Sequence, residues 1–291
     1  MNDRWKKVSQ ISFFVLVLFG ASFFIVACGG GNSSQSTTVQ NPTPEIQSIS
    51  PAFVAAGTNT QTVTIAGSGF LSSSTVTFNG VSHTSSFVSS TQLTVALGSS
   101  DLATAGSFPI VVTNPPPGGG TSSSSIFSVW VKLVEPTTGL TFALPPFGAL
   151  NQISVDTSTP GRSFIDVASQ STSGTSVGNF VLTVFSNPGS LTLQQWFEQN
   201  IDASNTLLSN NAYQQQTLSN GVSALVFIGP IPNAFFAAGA GPPLDSAYAL
   251  TSTGQVISIR QAPANDLASY GYTSPQSLMQ LKLQVLGTAH F

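Results

Sequence analysis

The sequence predicts a multidomain chain, in which an all-β sandwich is followed by an α+β domain with an antiparallel sheet and flanking helices. Short runs of alternating apolar and polar residues, separated by turn residues, fill the first half and are typical of a sandwich. Amphipathic helical patterns with capping signals occur only in the second half. The predicted parts are a signal peptide over 1–27, a flexible tether over 28–43, the sandwich over 44–130 and the α+β domain over 131–291.

The N-terminus has the layout of a bacterial export signal, a basic start followed by an apolar stretch over 11–27. The stretch ends in Ile25-Val26-Ala27-Cys28. This ending resembles a lipobox, and the resemblance implies cleavage before Cys28 and transfer of a diacylglyceryl group to its sulfur. We therefore expect an exported protein held by lipid on Cys28 in the cell envelope, at the outer membrane or the cell surface. An uncleaved helix is the alternative, because about 17–25 apolar residues can span a bilayer.

The composition restricts both the source of stability and the class of partner. Cys28 is the only cysteine, so no disulfide can form within the chain and an ordinary apolar core must stabilise the fold. Charged residues make up 6% of the chain, and the formal net charge is −3. Nucleic-acid binding needs a basic patch that neutralises phosphates, so we expect no nucleic-acid partner. The Gly/Ser/Thr/Gln-rich composition of 28–43 predicts a flexible tether to the membrane.

Residues 44–130 contain six or seven short runs in which apolar and polar side chains alternate. Val63 and Ile65 interleave with threonines, as do Leu93 and Val95 further along the chain. Turn residues separate the runs, and Asn79-Gly80 is a strong hairpin signal because both residues tolerate positive φ. This spacing predicts a β-sandwich.

These residues also resemble the IPT/TIG immunoglobulin-like domains. The segments that carry the resemblance, in order, are Ile46–Pro51, Val63–Phe70, Val76–Val81, Ser89–Val95, Ala105–Pro115, Pro117–Ser122 and Phe127–Val129. The resemblance implies an immunoglobulin-like fold without catalytic residues, which serves as a spacer or a contact module in bacterial surface proteins. Family members that touch DNA use basic loops, and this sequence lacks them.

The second half carries two helix-start signals. Thr192-Leu193-Gln194-Gln195 predicts a capping box, and Leu193, Trp196, Phe197 and Ile201 follow as an apolar stripe. Ser274-Pro275 predicts the start of a second helix, since proline favours the first helical position. Strands are expected over 140–144, 163–167, 180–185, 222–228, 247–250 and 256–259. The order of elements predicts one antiparallel sheet with helices packed on it.

Residues 131–291 also resemble the Mog1/PsbP-like fold. The features involved are Gly139–Pro145, Leu193–Phe197, Asn220–Ala224 and the closing Leu286–Phe291. The resemblance implies a binding or assembly module without catalysis.

Patterns associated with enzyme chemistry are weak. Gly174-Thr175-Ser176-Val177-Gly178 matches the nucleophile elbow, but polar loop residues precede it and a strand pattern follows it, whereas an elbow lies between a strand and a helix. His83 and His290 are isolated, and no metal-ligand spacing occurs. We expect no catalytic residues, no metal and no cofactor.

An apolar, proline-bounded loop over 229–243 provides the candidate contact residues, Phe235 and Phe236. Long loops in compact domains are frequently functional, and an exposed phenylalanine pair would mark a ligand or partner site. The alternative is that both rings fold back onto the core.

The predicted function is non-catalytic binding or scaffolding at the cell envelope. The partners expected are the membrane, through Cys28, and an envelope protein, a glycan or an apolar ligand that the sequence does not identify. The alternative is an envelope enzyme, acting on glycans, with its site in 131–291. A clustered acidic pair in an open cleft would favour the enzyme, and an apolar groove would favour binding.

Overall fold

The computed structural model describes residues 38–146, 149–170, 176–203, 206–218, 220–228, 247–261 and 274–291. Strands predominate in these ranges and form three sheets. The predicted lipid site Cys28 and the predicted contact residues Phe235 and Phe236 lie outside the described residues.

Two of the sheets form a sandwich. The four-stranded sheet has the order β1 (Glu45–Ser50), β3 (Gln61–Ser68), β7 (Gln92–Leu97), β6 (Ser85–Ser89). The other sheet follows the path β11 (Thr141–Leu144), β10 (Ser125–Val134), β8 (Gly106–Asn114), β4 (Thr75–Phe78), β5 (Val81–His83). Two short strands complete it, β2 (Phe53–Ala55) beside β10 and β9 (Gly120–Thr121) beside β8.

The alternation seen in the sequence builds the core between these two sheets. Val63 and Ile65 on β3 have no exposed surface, and neither do Ile110 and Val112 on β8. Successive side chains of a strand point to opposite faces, so the intervening polar residues point away from this core. The arrangement fits an immunoglobulin-like β-sandwich.

The sandwich contacts begin upstream of β1. Asn41, within the range predicted as tether, donates its backbone N–H to Pro117 O at 2.7 Å and accepts from Gly119 N at 2.7 Å. Its side-chain Nδ2 also donates to Pro115 O at 2.8 Å. These bonds fix the chain to the loop that precedes β9. The tether over 28–43 and the other domain boundaries stay predictions.

The third sheet lies in the second half. It is antiparallel throughout, in the order β12 (Ala149–Asp156), β13 (Arg162–Gln170), β14 (Ser176–Phe185), β18 (Val256–Gln261), β17 (Ala247–Leu250), β16 (Ser223–Phe227), β15 (Tyr213–Thr217). The described helices are α1 (Leu193–Asn200), α2 (Thr206–Ser209) and α3 (Pro275–Thr288).

The two faces of this sheet bury different clusters. One face, with Ala224, Val226 and Ile257, packs with Leu281 and Val285 of α3. The opposite face presents an aromatic cluster in which strand residues meet α1 and α2, namely Phe185, Leu193, Trp196, Phe197, Leu207, Tyr213, Leu225, Phe227, Tyr248 and Val256. The central strand β16 therefore contributes Ala224 and Val226 to one core and Leu225 and Phe227 to the other, which explains its nearly continuous apolar sequence.

Both predicted helix starts are present. Gln195 N donates to Thr192 Oγ1 at 3.3 Å and Gln195 Oε1 accepts from Thr192 N at 3.1 Å, which is the predicted capping box. Ser274 caps α3 in the same way, with Pro275 in the first turn. The sequence analysis did not predict β12 and β15. Neither has a regular apolar alternation, and β15 reads Tyr-Gln-Gln-Gln-Thr.

Of the described helices, α1 has eight residues, α2 has four and α3 has fourteen. The structure is thus mostly β with several sheets, and the α+β class of residues 131–291 stays a prediction.

The two halves share β10, which continues past the predicted boundary at residue 130. Val131–Val134 of this strand pair with β11, and His290 exchanges backbone hydrogen bonds with Thr141 at 2.7 and 2.8 Å. The Trp130 ring, 3% exposed, stacks on Phe53 with centroids 3.9 Å apart. Trp130 belongs to the same buried cluster as Val226 and Leu281, so the sandwich supplies part of the core of the second half.

Glu135, a fully buried carboxylate, organises the turn between β10 and β11. Its oxygens accept hydrogen bonds from the backbone N–H groups of Thr137 and Thr138, at 2.7 and 2.6 Å, and from the Thr138 hydroxyl at 2.6 Å. Burial by itself raises the pKa of Glu135, but these hydrogen bonds outweigh it and the pKa lies below its ordinary value.

Candidate functional site

A groove lies on the aromatic face of the third sheet, between the start of α1 and the strands β15, β16 and β17. It has a volume of about 550 Å³. The lining residues come from the start of α1, from β15, from β16 and the residue before it, and from the end of β17 and the two residues after it. They are Thr192, Leu193, Gln194, Gln215, Val222, Ser223, Leu225, Leu250, Thr251 and Ser252. Below we call it the α1–β15 groove.

The floor of the α1–β15 groove is apolar because it is the border of the aromatic cluster. Leu193 and Leu225 belong to that cluster, and Leu250 packs against it. The capping box of α1 fixes Leu193 at the first helical position, and strand alternation places Leu225 and Leu250 on the same face. The floor therefore rests on regular secondary structure, which makes a preformed site.

Neutral hydrogen-bonding groups form its rim. Gln215 Nε2 donates to Ser223 Oγ at 2.7 Å across the β15–β16 pair. Thr251 Oγ1 accepts from Gln255 N at 3.1 Å and donates to Gln255 O at 3.0 Å. None of the lining residues that the structure describes is titratable. The groove can bind an apolar group and form hydrogen bonds to polar atoms beside that group, but its described residues supply no acid, base or nucleophile pair.

A second, polar cleft of about 420 Å³ lies over β12, β13, β14 and β18. Asp156 and Asp166 line it together with Phe164 and Arg260. Arg260 lies over the Phe164 ring, 6.0 Å from its centroid. This is the acidic pair that would favour the enzyme alternative.

The hydrogen bonds of Asp156 oppose an acid–base role. Its carboxylate accepts from the side chain and backbone of Ser158, at 2.8 Å for Ser158 N, and these bonds hold the pKa of Asp156 below its ordinary value. Asp156 is thus ionised at neutral pH. Glycoside hydrolysis needs a protonated carboxyl group beside an ionised one. The buried Oδ1 of Asp166 has no hydrogen-bond partner among the described residues.

The serine motif does not form an elbow in the described backbone. Ser176 is the first residue of β14, and the strand continues to Phe185 without a helix. His83 Nε2 lies 3.5 Å from Asp101 Oδ1 in the sandwich, and the His290 Nδ1 is 2.8 Å from Thr288 O near the C-terminus.

Within the described ranges, no group of three or more His, Cys, Asp or Glu side chains is placed to hold a metal ion. In the same ranges, no helix combines the length and the apolarity needed to cross a bilayer.

The sequence analysis missed the α1–β15 groove because its residues come from four separate segments. Leu225 and Leu250 were assigned to strands, but the faces to which they point depend on the register with β15 and β18. The capping box at Thr192 was the one available signal, since it fixes where the first turn of α1 meets the sheet.

Comparison with known proteins gives one family match. Residues 44–129 match the IPT/TIG domain model. No curated protein matches the chain.

Solved structures give only distant likenesses. An auxiliary nutrient binding protein from Bacteroides thetaiotaomicron VPI-5482 is 13% identical with a TM-score of 0.24, over 75% of this chain and 49% of that one. A similar protein from Bacteroides ovatus ATCC 8483 is 12% identical with a TM-score of 0.21, over 77% and 50%. A putative phosphatase from Bacteroides thetaiotaomicron VPI-5482 is 10% identical with a TM-score of 0.23, over 64% and 67%.

The chain thus spans about half the length of the two nutrient binding proteins. At these TM-scores the likenesses do not establish a shared fold. None of the three is described as a Mog1/PsbP protein, and that resemblance stays a prediction. What is established is the first domain: the chain contains an IPT/TIG domain at residues 44–129.

Proposed function

We propose that this protein is a lipid-anchored cell-envelope protein with a non-catalytic binding role. The IPT/TIG domain acts as spacer or contact module between the membrane and the second half. The observation that supports binding is the α1–β15 groove, with its apolar floor of Leu193, Leu225 and Leu250 and its neutral rim. Such a site suits an uncharged ligand or partner segment, because burying a charge there would leave it unpaired.

The groove can be tested with N-phenyl-1-naphthylamine, an uncharged apolar dye that fluoresces on burial. We expect saturable binding to the full chain in detergent-free buffer after removal of the signal segment. Replacing Ser223 by tryptophan fills the groove at its rim and should weaken dye binding about tenfold or more, equivalent to about 1.4 kcal/mol. The matched control is Ser86→Trp on β6, where Ser86 is exposed, and it should leave the affinity unchanged. Equal affinity in both variants would show that the dye binds elsewhere.

The membrane attachment has its own test. One acyl chain holds a protein only marginally, whereas several hold it firmly. We expect the mature N-terminus to be a lipid-modified Cys28 and the protein to sediment with membranes, whereas the Cys28→Ser variant is not lipidated at this position. Mass spectrometry of the N-terminal peptide decides this. An unmodified Cys28, or cleavage at another position, would contradict the proposal.

The enzyme alternative rests on Asp156 and Asp166 in the polar cleft. It has less support than binding, because the hydrogen bonds of Asp156 favour its ionised form, which is not the form that a general acid needs.

A further inference from the structure

We infer that β15 and the α1–β15 groove together bind an extended polypeptide segment of a partner protein, which adds to the sheet as a further strand and places an apolar side chain in the groove. This inference rests on the proposed binding role of the groove and names the class of partner. Strand addition supplies affinity through main-chain hydrogen bonds and specificity through pockets for alternate side chains.

Among the described residues, no strand pairs with the outer edge of β15. Ile228 N donates to Ala212 O at 2.9 Å, and Leu218 N donates to Val222 O at 2.8 Å. These two bonds mark the ends of the β15–β16 pair, and antiparallel pairs alternate between bonded and non-bonded residues. With the observed register, Gln214 and Gln216 bond to β16, while Gln215 and Thr217 direct their N–H and C=O groups outward.

The β15 edge lacks the features that protect other edges of this protein. Gln214, Gln215, Gln216 and Thr217 are exposed and uncharged, and the register with β16 has no shift. In contrast, β12 at the opposite edge of the sheet has a register shift between Leu150 and Gln152, and the edge strand β6 of the sandwich has one between Phe87 and Ser89. Bulges and charges are the usual protection of an edge strand. A flat, neutral edge is a template for another strand.

The groove adjoins this edge on one face. The Gln215 side chain points to that face, where it bonds to Ser223. A strand added to β15 lies about 4.8 Å away, so its residue opposite Gln215 also points to the groove face. A long apolar side chain there reaches over Gln215 towards Leu225. The neutral rim selects an uncharged side chain at this position.

Pairing β15 with the β15 of a second copy would not fill the groove with an apolar side chain. The groove-facing residues of β15 are Tyr213, Gln215 and Thr217, and Tyr213, 4% exposed, is buried in its own aromatic cluster. Self-pairing would therefore bring no free apolar side chain to the floor. A different chain, extended and with an apolar residue among uncharged neighbours, is the occupant that fits both edge and groove.

The test uses short linear peptides selected from a phage-displayed library against the full chain purified in mild detergent. We expect selected peptides to share one apolar position flanked by uncharged β-forming residues. Binding should slow hydrogen exchange at the Gln215 and Thr217 amides, whereas the Gln214 and Gln216 amides are already bonded in the free protein. Replacing Gln215 by proline removes an outward N–H that β16 does not use, and should weaken binding about tenfold or more.

Gln214→Ala on the same strand is the control, since Gln214 is exposed, does not line the groove and leaves every outward N–H of β15 in place, and it should bind the peptide nearly as well as the wild type. Methylating the peptide backbone at alternate amides provides a second readout that does not depend on the protein's folding. Peptides that lose affinity in Ser223→Trp but not in Gln215→Pro would overturn strand addition and leave groove binding intact. If the groove binds the dye but the library yields no peptide that binds, strand addition is likewise overturned and groove binding stays intact. Protection of the same amides by concentration-dependent dimerisation would identify a second copy as the occupant and overturn the inference.

Discussion

Replacing Trp130 by alanine is expected to lower the free energy of unfolding by about 3–5 kcal/mol, the usual cost of removing a buried tryptophan. The ring is 3% exposed and stacks on Phe53 with an interplanar angle of 13°. It also belongs to the cluster of α3 and the third sheet. The substitution opens a cavity where both halves of the molecule meet, so both should lose stability together in urea unfolding followed by circular dichroism.

A fragment covering 38–134, which keeps the bonds of Asn41 and Pro42, tests whether Trp130 stabilises both halves or the sandwich alone. The apolar core of the sandwich, from Val63 to Val129, lies entirely within the fragment, so the fragment should fold. Trp130 there lacks its partners from the second half, and Trp130→Ala should cost much less. Ile126→Ala on the same strand is the control, since Ile126 is 52% exposed and surface changes usually stay within about 0.5 kcal/mol. Equal losses from Trp130→Ala in fragment and full chain would show that the ring stabilises only the sandwich.

Trp130 shows where sequence reasoning reached its limit. Local patterns predicted the strands of the sandwich and the starts of α1 and α3, because alternation and capping depend on neighbouring residues. The predicted boundary at residue 130 came instead from the IPT/TIG resemblance, whose last segment is Phe127–Val129. In the structure β10 continues to Val134 and pairs with β11. Pairing between strands depends on tertiary contacts, which a single sequence does not display.

The candidate site was harder to predict for a related reason. Sequence reasoning selected Phe235 and Phe236 because they form a phenylalanine pair in a long, proline-bounded loop. Both residues lie outside the described residues. The α1–β15 groove consists of ordinary leucines and hydroxyl residues that become a site only through register and helix placement. The edge strand β15, with three consecutive glutamines, has too little apolar character to be recognised as a strand at all.

Replacing Asn114 by alanine is also expected to destabilise the protein strongly. We expect the free energy of unfolding to fall by about 2–4 kcal/mol, because the substitution leaves several buried polar groups without partners. The side chain is 2% exposed. Its Nδ2 donates to Pro42 O at 2.8 Å and to Gly69 O at 2.7 Å, and its Oδ1 accepts from Ser74 Oγ at 2.5 Å. One amide thus joins the segment before β1, the turn after β3 and the start of β4.

Asn114→Asp is the sharper variant because it keeps the shape and removes only the two donated bonds. At neutral pH its carboxylate would face the carbonyl oxygens of Pro42 and Gly69, so we expect it to be at least as destabilising as alanine. Ser107→Ala on the same strand is the control, since Ser107 is exposed. Unfolding in urea gives the stability, and hydrogen exchange over 38–43 reports on the segment before β1, where exchange should accelerate only in the Asn114 variants. Unchanged stability in both Asn114 variants would mean that water replaces the amide, and that the bonds of Asn41 and Thr43 are enough to hold the segment before β1.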